Sequence, residues 1–136
     1  MSERLRLFPL WLFLGWGLVA LVAWVALMPN PPEVGAGLPH VDKLHHLAAY
    51  AVLGGWFAQL FDARGLRWLH AALLIGIGIG LEYLQGAGGV RHFEVADMVA
   101  NTLGVLLGLG LRRTPLGRIL PWAERTLLGG PKGDRP

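Results

Sequence analysis

Acids, amides, a histidine and a tyrosine recur at helical spacings along otherwise apolar stretches of this chain, a set suited either to moving a proton or to holding a charged group. Asp42, His46 and Tyr50 follow one another at intervals of four, Glu82 and Gln85 at three, and Glu94, Asp97 and Asn101 at three and then four. Such intervals put each group along one face of a helix. His46 has the ring for general acid or base work, and Asp97 or Glu82 has the carboxylate to orient it. Lys43 and Arg91 are suited to holding a phosphate or carboxylate beside that pair. No serine accompanies them, and Tyr50 and Thr102 are poor nucleophiles.

A metal centre is another chemistry open to such residues. With no cysteine in the chain there is no thiolate site, and His40, His45, His46 and the carboxylates fall at spacings that match no standard ligand motif. The expectation is a site without metal or cofactor.

Four apolar stretches supply the elements that must hold these groups: Phe8 to Met28, Leu44 to Phe61, Trp68 to Leu84, and Phe93 to Leu111. Each is close to the roughly 17 to 25 residues with which a helix crosses a hydrocarbon core. Composition agrees, with 54% hydrophobic residues, 15% charged and a mean hydropathy of +0.48; a soluble domain carries about a quarter charged residues. Outside the stretches, Arg4, Arg6, Arg64, Arg67, Arg112, Arg113, Arg118, Arg125, Lys132 and Arg135 fall on one side, leaving Lys43 and Arg91 for the other. By the positive-inside bias both termini are cytoplasmic, and the loops at 29–42 and 86–92 are external. The net charge of +3 then reads as a topology signal and a contact to anionic lipid, and no nucleic-acid partner is expected.

Local signals refine this frame. The first stretch has the basic start of a signal peptide, but its apolar run exceeds the about 7 to 15 residues of a signal core, so it is expected to stay as a helix. Asp42 stands where it can cap the second helix. Gly54, Gly55, Gly104 and Gly108 point to close helix packing, with the polar face of the fourth helix also its packed face. Gly76-Ile-Gly-Ile-Gly80 lacks the strand and lysine of a phosphate loop and reads as packing too.

At a rise of about 1.5 Å per residue, His46 lies about 6 Å beyond Asp42, Asp97 about 6 Å beyond Phe93, and Glu82 about 22 Å beyond Arg67. Three helices thus bring polar groups to one outer layer. That layer sets Asp42, Glu82, Glu94 and Asp97 against Lys43 and Arg91, a surplus of two negative charges. An unpaired charge in hydrocarbon costs about 2.5 to 3.5 kcal/mol even on a lenient scale, so a proton, a metal ion or a cationic ligand must offset it.

The order Asp42-Lys43-x-x-His46-x-x-x-Tyr50-x-x-Leu53, then Glu82-x-x-Gln85, then Arg91-x-x-Glu94-x-x-Asp97-x-x-x-Asn101-x-x-Gly104 resembles the VanZ-like family of small bacterial membrane proteins. The resemblance covers residues 42–108. It implies an all-helical integral membrane protein of the plasma membrane, with Asp42, Lys43, His46, Tyr50, Glu82, Gln85, Arg91, Asp97 and Asn101 as its site residues. The family's namesake is linked to low-level resistance to the glycopeptide teicoplanin, so the resemblance implies partners among membrane lipids, lipid-linked wall precursors or glycopeptides.

Three functions remain open on these residues. They can form a pocket that binds an envelope component, they can be the acid-base centre of a membrane-embedded enzyme, or they can serve only to lock the bundle, a role that suits Gln85 and Asn101 best and His46 least. In the structural reading Arg91 pairs with Asp97 or Glu82. The expected architecture is a four-helix membrane bundle over residues 1–113, an interfacial amphipathic helix over 114–128 broken near Pro121, and a disordered tail over 129–136. In that interfacial helix Leu116, Ile119, Leu120, Ala123 and Leu127 form the apolar stripe, opposite Arg118, Glu124 and Arg125.

Overall fold

A computed structural model describes residues 4–129 apart from Glu33, Ala36 and Val90; most of the tail expected to be disordered, from residue 130 on, lies outside the described residues. Within them the chain is all-helical, without a strand. Its order is α1 (Phe8–Ala26), α2 (Val41–Leu60), α3 (Arg64–Ala87), α4 (Val95–Leu111), a 3₁₀ turn (Pro115–Arg118) and α5 (Ile119–Leu128).

The helices match the four apolar stretches, with shifted ends. α3 starts four residues before Trp68 and runs three past Leu84, because Arg64 and Arg67 extend a helix as well as apolar residues do. Two helices, α1 and α3, are long and apolar enough to cross a membrane, and α4 with the segment after it reaches that length only as a pair bent by 74°. α2 is long enough at 20 residues, but Asp42, Lys43, His45 and His46 crowd its start. α4 is short at 17 residues.

α2 and α4 pack backbone to backbone at the centre of the molecule. A Cβ at Gly104 would lie 2.5 Å from the Leu47 carbonyl oxygen, and one at Gly108 would run into the Ala51 carbonyl. Asp97, Asn101, Gly104 and Gly108 are all buried, so the polar face of α4 is indeed its packed face. The glycines of α3 behave differently from expectation. Within the Gly76–Gly80 stretch only Gly78 meets neighbours, Tyr50 and Asn101, while Gly76 and Gly80 face open space. Against α2, α1 sets Trp11, whose ring meets Trp56 edge-on at 5.8 Å and whose carbonyl accepts the Trp56 indole N–H at 2.9 Å. Elsewhere α1 leaves Phe13, Leu21 and Trp24 exposed, an apolar surface suited to lipid.

A helix begins with four amides that have no partner inside it. At the starts of α1, α4 and α5 amides are met from other helices. No N-cap residue of the five helices caps with its own side chain. Instead Glu124 of α5 accepts the Arg6 and Leu7 amides at 2.8 and 2.7 Å at the start of α1, together with the Trp11 indole N–H at 2.7 Å. Gln59 of α2 accepts the Leu120 amide of α5 at 2.9 Å. Glu82 of α3 accepts the Glu94 amide before α4 at 2.7 Å.

Two expectations are corrected by these contacts. The break before α5 falls at the 3₁₀ turn and not at Pro121, which sits in the first turn of α5, where a missing N–H costs little. The face of α5 that is buried carries Leu120 and Glu124, whereas Ile119, Trp122 and Leu127 stay exposed, so the charge assigned to the outward face faces the bundle. The reason is that three donors at the start of α1 satisfy the Glu124 carboxylate, which makes its burial affordable.

At the end of the bundle opposite Asp42, arginines meet the last carbonyls of α2. Arg112 donates through Nε to the Ala58 oxygen at 3.1 Å and approaches Asp62 at 3.6 Å, and Arg67 donates to the Phe61 oxygen at 3.2 Å and to the Asp62 oxygen. Cations at a helix C-terminus also complement its dipole.

Candidate functional site

The ends of α2, α3 and α4 that carry the polar residues meet at one end of the bundle and enclose a cavity of about 1070 Å³. Asp42, His46 and Tyr50 enter it from α2, Glu82 and Gln85 from α3, and Asp97 and Asn101 from α4, with Arg91 and His92 at the connection between the last two. The helical spacing of each group explains this directly. Each face that the intervals define is the face turned to the other two helices.

Lys43 is the hub of the charged groups. Its Nζ lies 2.6 Å from Glu94, 3.0 Å from Asp42 and 3.4 Å from Asp97. Oxygens of these three acids come within 4.8 Å of one another, a spacing that suits a cation. The ammonium of Lys43 already serves as that cation, so a metal ion there requires Lys43 to swing away. Asp42, exposed in the first turn of α2, pairs with Lys43; the residue that precedes the helix is His40, in the left-handed conformation at φ 56°.

His46 is held from both sides. Its Nδ1 lies 2.9 Å from the Asn101 Oδ1, and its Nε2 lies 3.8 Å from Asp97. With Nδ1 donating to the amide oxygen, Nε2 is turned toward a carboxylate beyond hydrogen-bond range. The expected orienting role of Asp97 is therefore loose, and Asn101, which the spacing suited to locking helices, fixes the ring. Glu82 lines the cavity and gives one carboxylate oxygen to α4, through the Glu94 amide.

Arg91 departs most from expectation. Among the described residues it makes no ion pair with Asp97, Glu82 or any other acid, although it lines the cavity. Lys43 has taken its place at Asp97. The physical consequence is that two acids stay under-satisfied. Glu82 is 1% exposed with no hydrogen bond to its Oε2, and Asp97 is 8% exposed with none to its Oδ1, which has only the 3.4 Å approach of Lys43. A buried polar atom left in this way costs about 1 to 3 kcal/mol.

Sequence reasoning missed one wall of the cavity. α1 carries no polar motif, yet Leu21, Val22 and Val25 line the cavity, and Gln85 ties α3 to α1 by donating to the Ala26 oxygen at 2.5 Å. The only signal available was the position of α1 beside α2, which no spacing within α1 reveals.

No family model, curated protein or solved structure matches this chain.

Proposed function

We propose that the chain is a four-span protein of a bacterial plasma membrane, with both termini on the cytoplasmic side, and that its cavity binds a polar group of a lipid or other envelope component. The uneven distribution of Lys and Arg supports the orientation. The apolar exterior of α1 and the gathering of polar residues at one end of the bundle support the placement of the cavity near the outer surface. One observation carries the binding reading: Glu82 and Asp97, both buried at the cavity, each keep a carboxylate oxygen without a hydrogen bond. A site that only locked helices would satisfy its own acceptors, and a ligand bearing donors completes this one. The VanZ-like resemblance extends the proposal to wall precursors or glycopeptides as ligands and to a part in teicoplanin tolerance.

The suspension of His46 between Asn101 and Asp97 favours a second reading, a membrane enzyme with His46 as acid or base acting on a lipid or lipid-linked precursor. One pair of variants separates the two. Ala49→Trp, which fills the cavity from α2, is expected to abolish ligand retention in either case, whereas His46→Gln keeps retention if the protein only binds and loses turnover if it is an enzyme. Ligand retention unchanged in Ala49→Trp would sink the pocket altogether.

A further inference from the structure

The chemistry left unmet in the cavity specifies a ligand more narrowly than "polar". Glu82 and Asp97 line the cavity with acceptor groups and no donors, and both residues are buried. Their charge is not matched locally, since Lys43 is shared among three acids and Glu82 has no cation at ion-pair distance among the described residues. What fits such a place is a cation that also donates hydrogen bonds. A quaternary ammonium fits poorly, because it has no N–H and is held by aromatic faces; Tyr50 is the single Phe, Tyr or Trp lining the cavity among the described residues.

Arg91 adds the opposite charge. Arg91 lines the same cavity without an ion pair among the described residues, and a guanidinium fork matches phosphate oxygens. The third feature is apolar. Leu21, half exposed, belongs both to the cavity wall and to the outer surface of α1, so the cavity is continuous with surface that faces acyl chains in the four-span arrangement.

We propose that the cavity takes the headgroup of a phospholipid with a primary ammonium beside its phosphate, the ammonium against Glu82 and Asp97, the phosphate on Arg91, and an acyl chain leaving past Leu21. This rests on the pocket reading above and narrows it to one lipid class. A glycerol headgroup would bring hydroxyl donors without a positive charge, and a choline headgroup would bring charge without donors.

The full chain, purified in mild detergent and offered equal amounts of ethanolamine, glycerol and choline phospholipids, is expected to retain the ethanolamine lipid by about tenfold over the others, read as bound lipid by native mass spectrometry. Glu82→Gln keeps an acceptor for the Glu94 amide and removes the charge, so it is expected to fold and to lose the preference; Asp97→Asn, a second variant, is expected to lower it. Arg91→Gln is expected to weaken retention of all three lipids. Equal retention of the three lipids in the wild type, still abolished by Ala49→Trp, overturns the ammonium assignment and leaves the pocket standing. Preference unchanged in a folded Glu82→Gln also overturns the assignment. Retention untouched by Ala49→Trp overturns both. Soluble phosphoethanolamine serves as competitor: displacement at concentrations comparable to the lipid would overturn a lipid source, and failure to displace supports it.

Discussion

Glu82 of α3 grips the start of α4 by accepting the Glu94 amide at 2.7 Å, while its second oxygen is buried without a partner. One carboxylate thereby joins a structural task to an unmet one. The Glu82→Ala variant is expected to lose about 1 to 2 kcal/mol of stability with the cap. Glu82→Gln is expected to match or exceed the wild type, because it keeps the acceptor and removes a buried charge. Denaturant unfolding in detergent checks both, and a Glu82→Ala variant as stable as wild type would remove the cap from the account.

The Glu124 clasp makes stability depend on acid. Burial pushes the Glu124 carboxyl up, but the Leu7 and Arg6 amides and the Trp11 indole more than offset this, so in α5, beyond the last of the four proposed spans, it ionises below its ordinary value of 4.5. A carboxyl lowered in the folded state contributes stability that is present above its unfolded value and is lost as pH falls through the folded one. The thermal midpoint in detergent is expected to drop below about pH 4.5, and Glu124→Gln is expected to flatten that drop. A wild-type and variant pair with parallel acid profiles would refute the clasp.

Backbone contact between α2 and α4 predicts a sharp contrast between two glycine substitutions. Gly104→Ala places a methyl 2.5 Å from the Leu47 oxygen and is expected to cost about 1 to 3 kcal/mol through forced separation of the helices. At Gly55 the nearest atom is the Gly108 oxygen at 3.6 Å, an ordinary contact, so Gly55→Ala is expected to be neutral or slightly stabilising. Equal costs at the two positions, measured by unfolding, would mean that the helices do not meet backbone to backbone.

The proposed orientation is open to labelling, since the chain has no cysteine of its own. Cysteines at Leu38 and Gly88 are expected to react with an impermeant reagent on intact cells, and one at Gly65 only after permeabilisation. Leu38 is chosen because it is exposed, whereas nearby Gly37 has a left-handed φ of 96° that a cysteine would strain. Labelling at Gly65 from outside would invert the topology.

Residue spacing alone determined much of this protein. The four apolar stretches, the faces shared by Asp42, His46 and Tyr50 and by Glu94, Asp97 and Asn101, and the gathering of polar groups at one end all follow from helical periodicity and rise, which are local and regular. Tertiary structure decided the pairings. Whether Asp97 meets Arg91 or Lys43, whether His46 is fixed by Asp97 or Asn101, and whether Glu124 faces outward or clasps α1 depend on how helices distant in sequence are set against one another, to within the length of a hydrogen bond. Periodicity gives the face of a side chain but not which of several neighbours on another helix lies within reach, and for that reason the cavity wall from α1 and the helix starts capped by other helices emerge only in the folded chain.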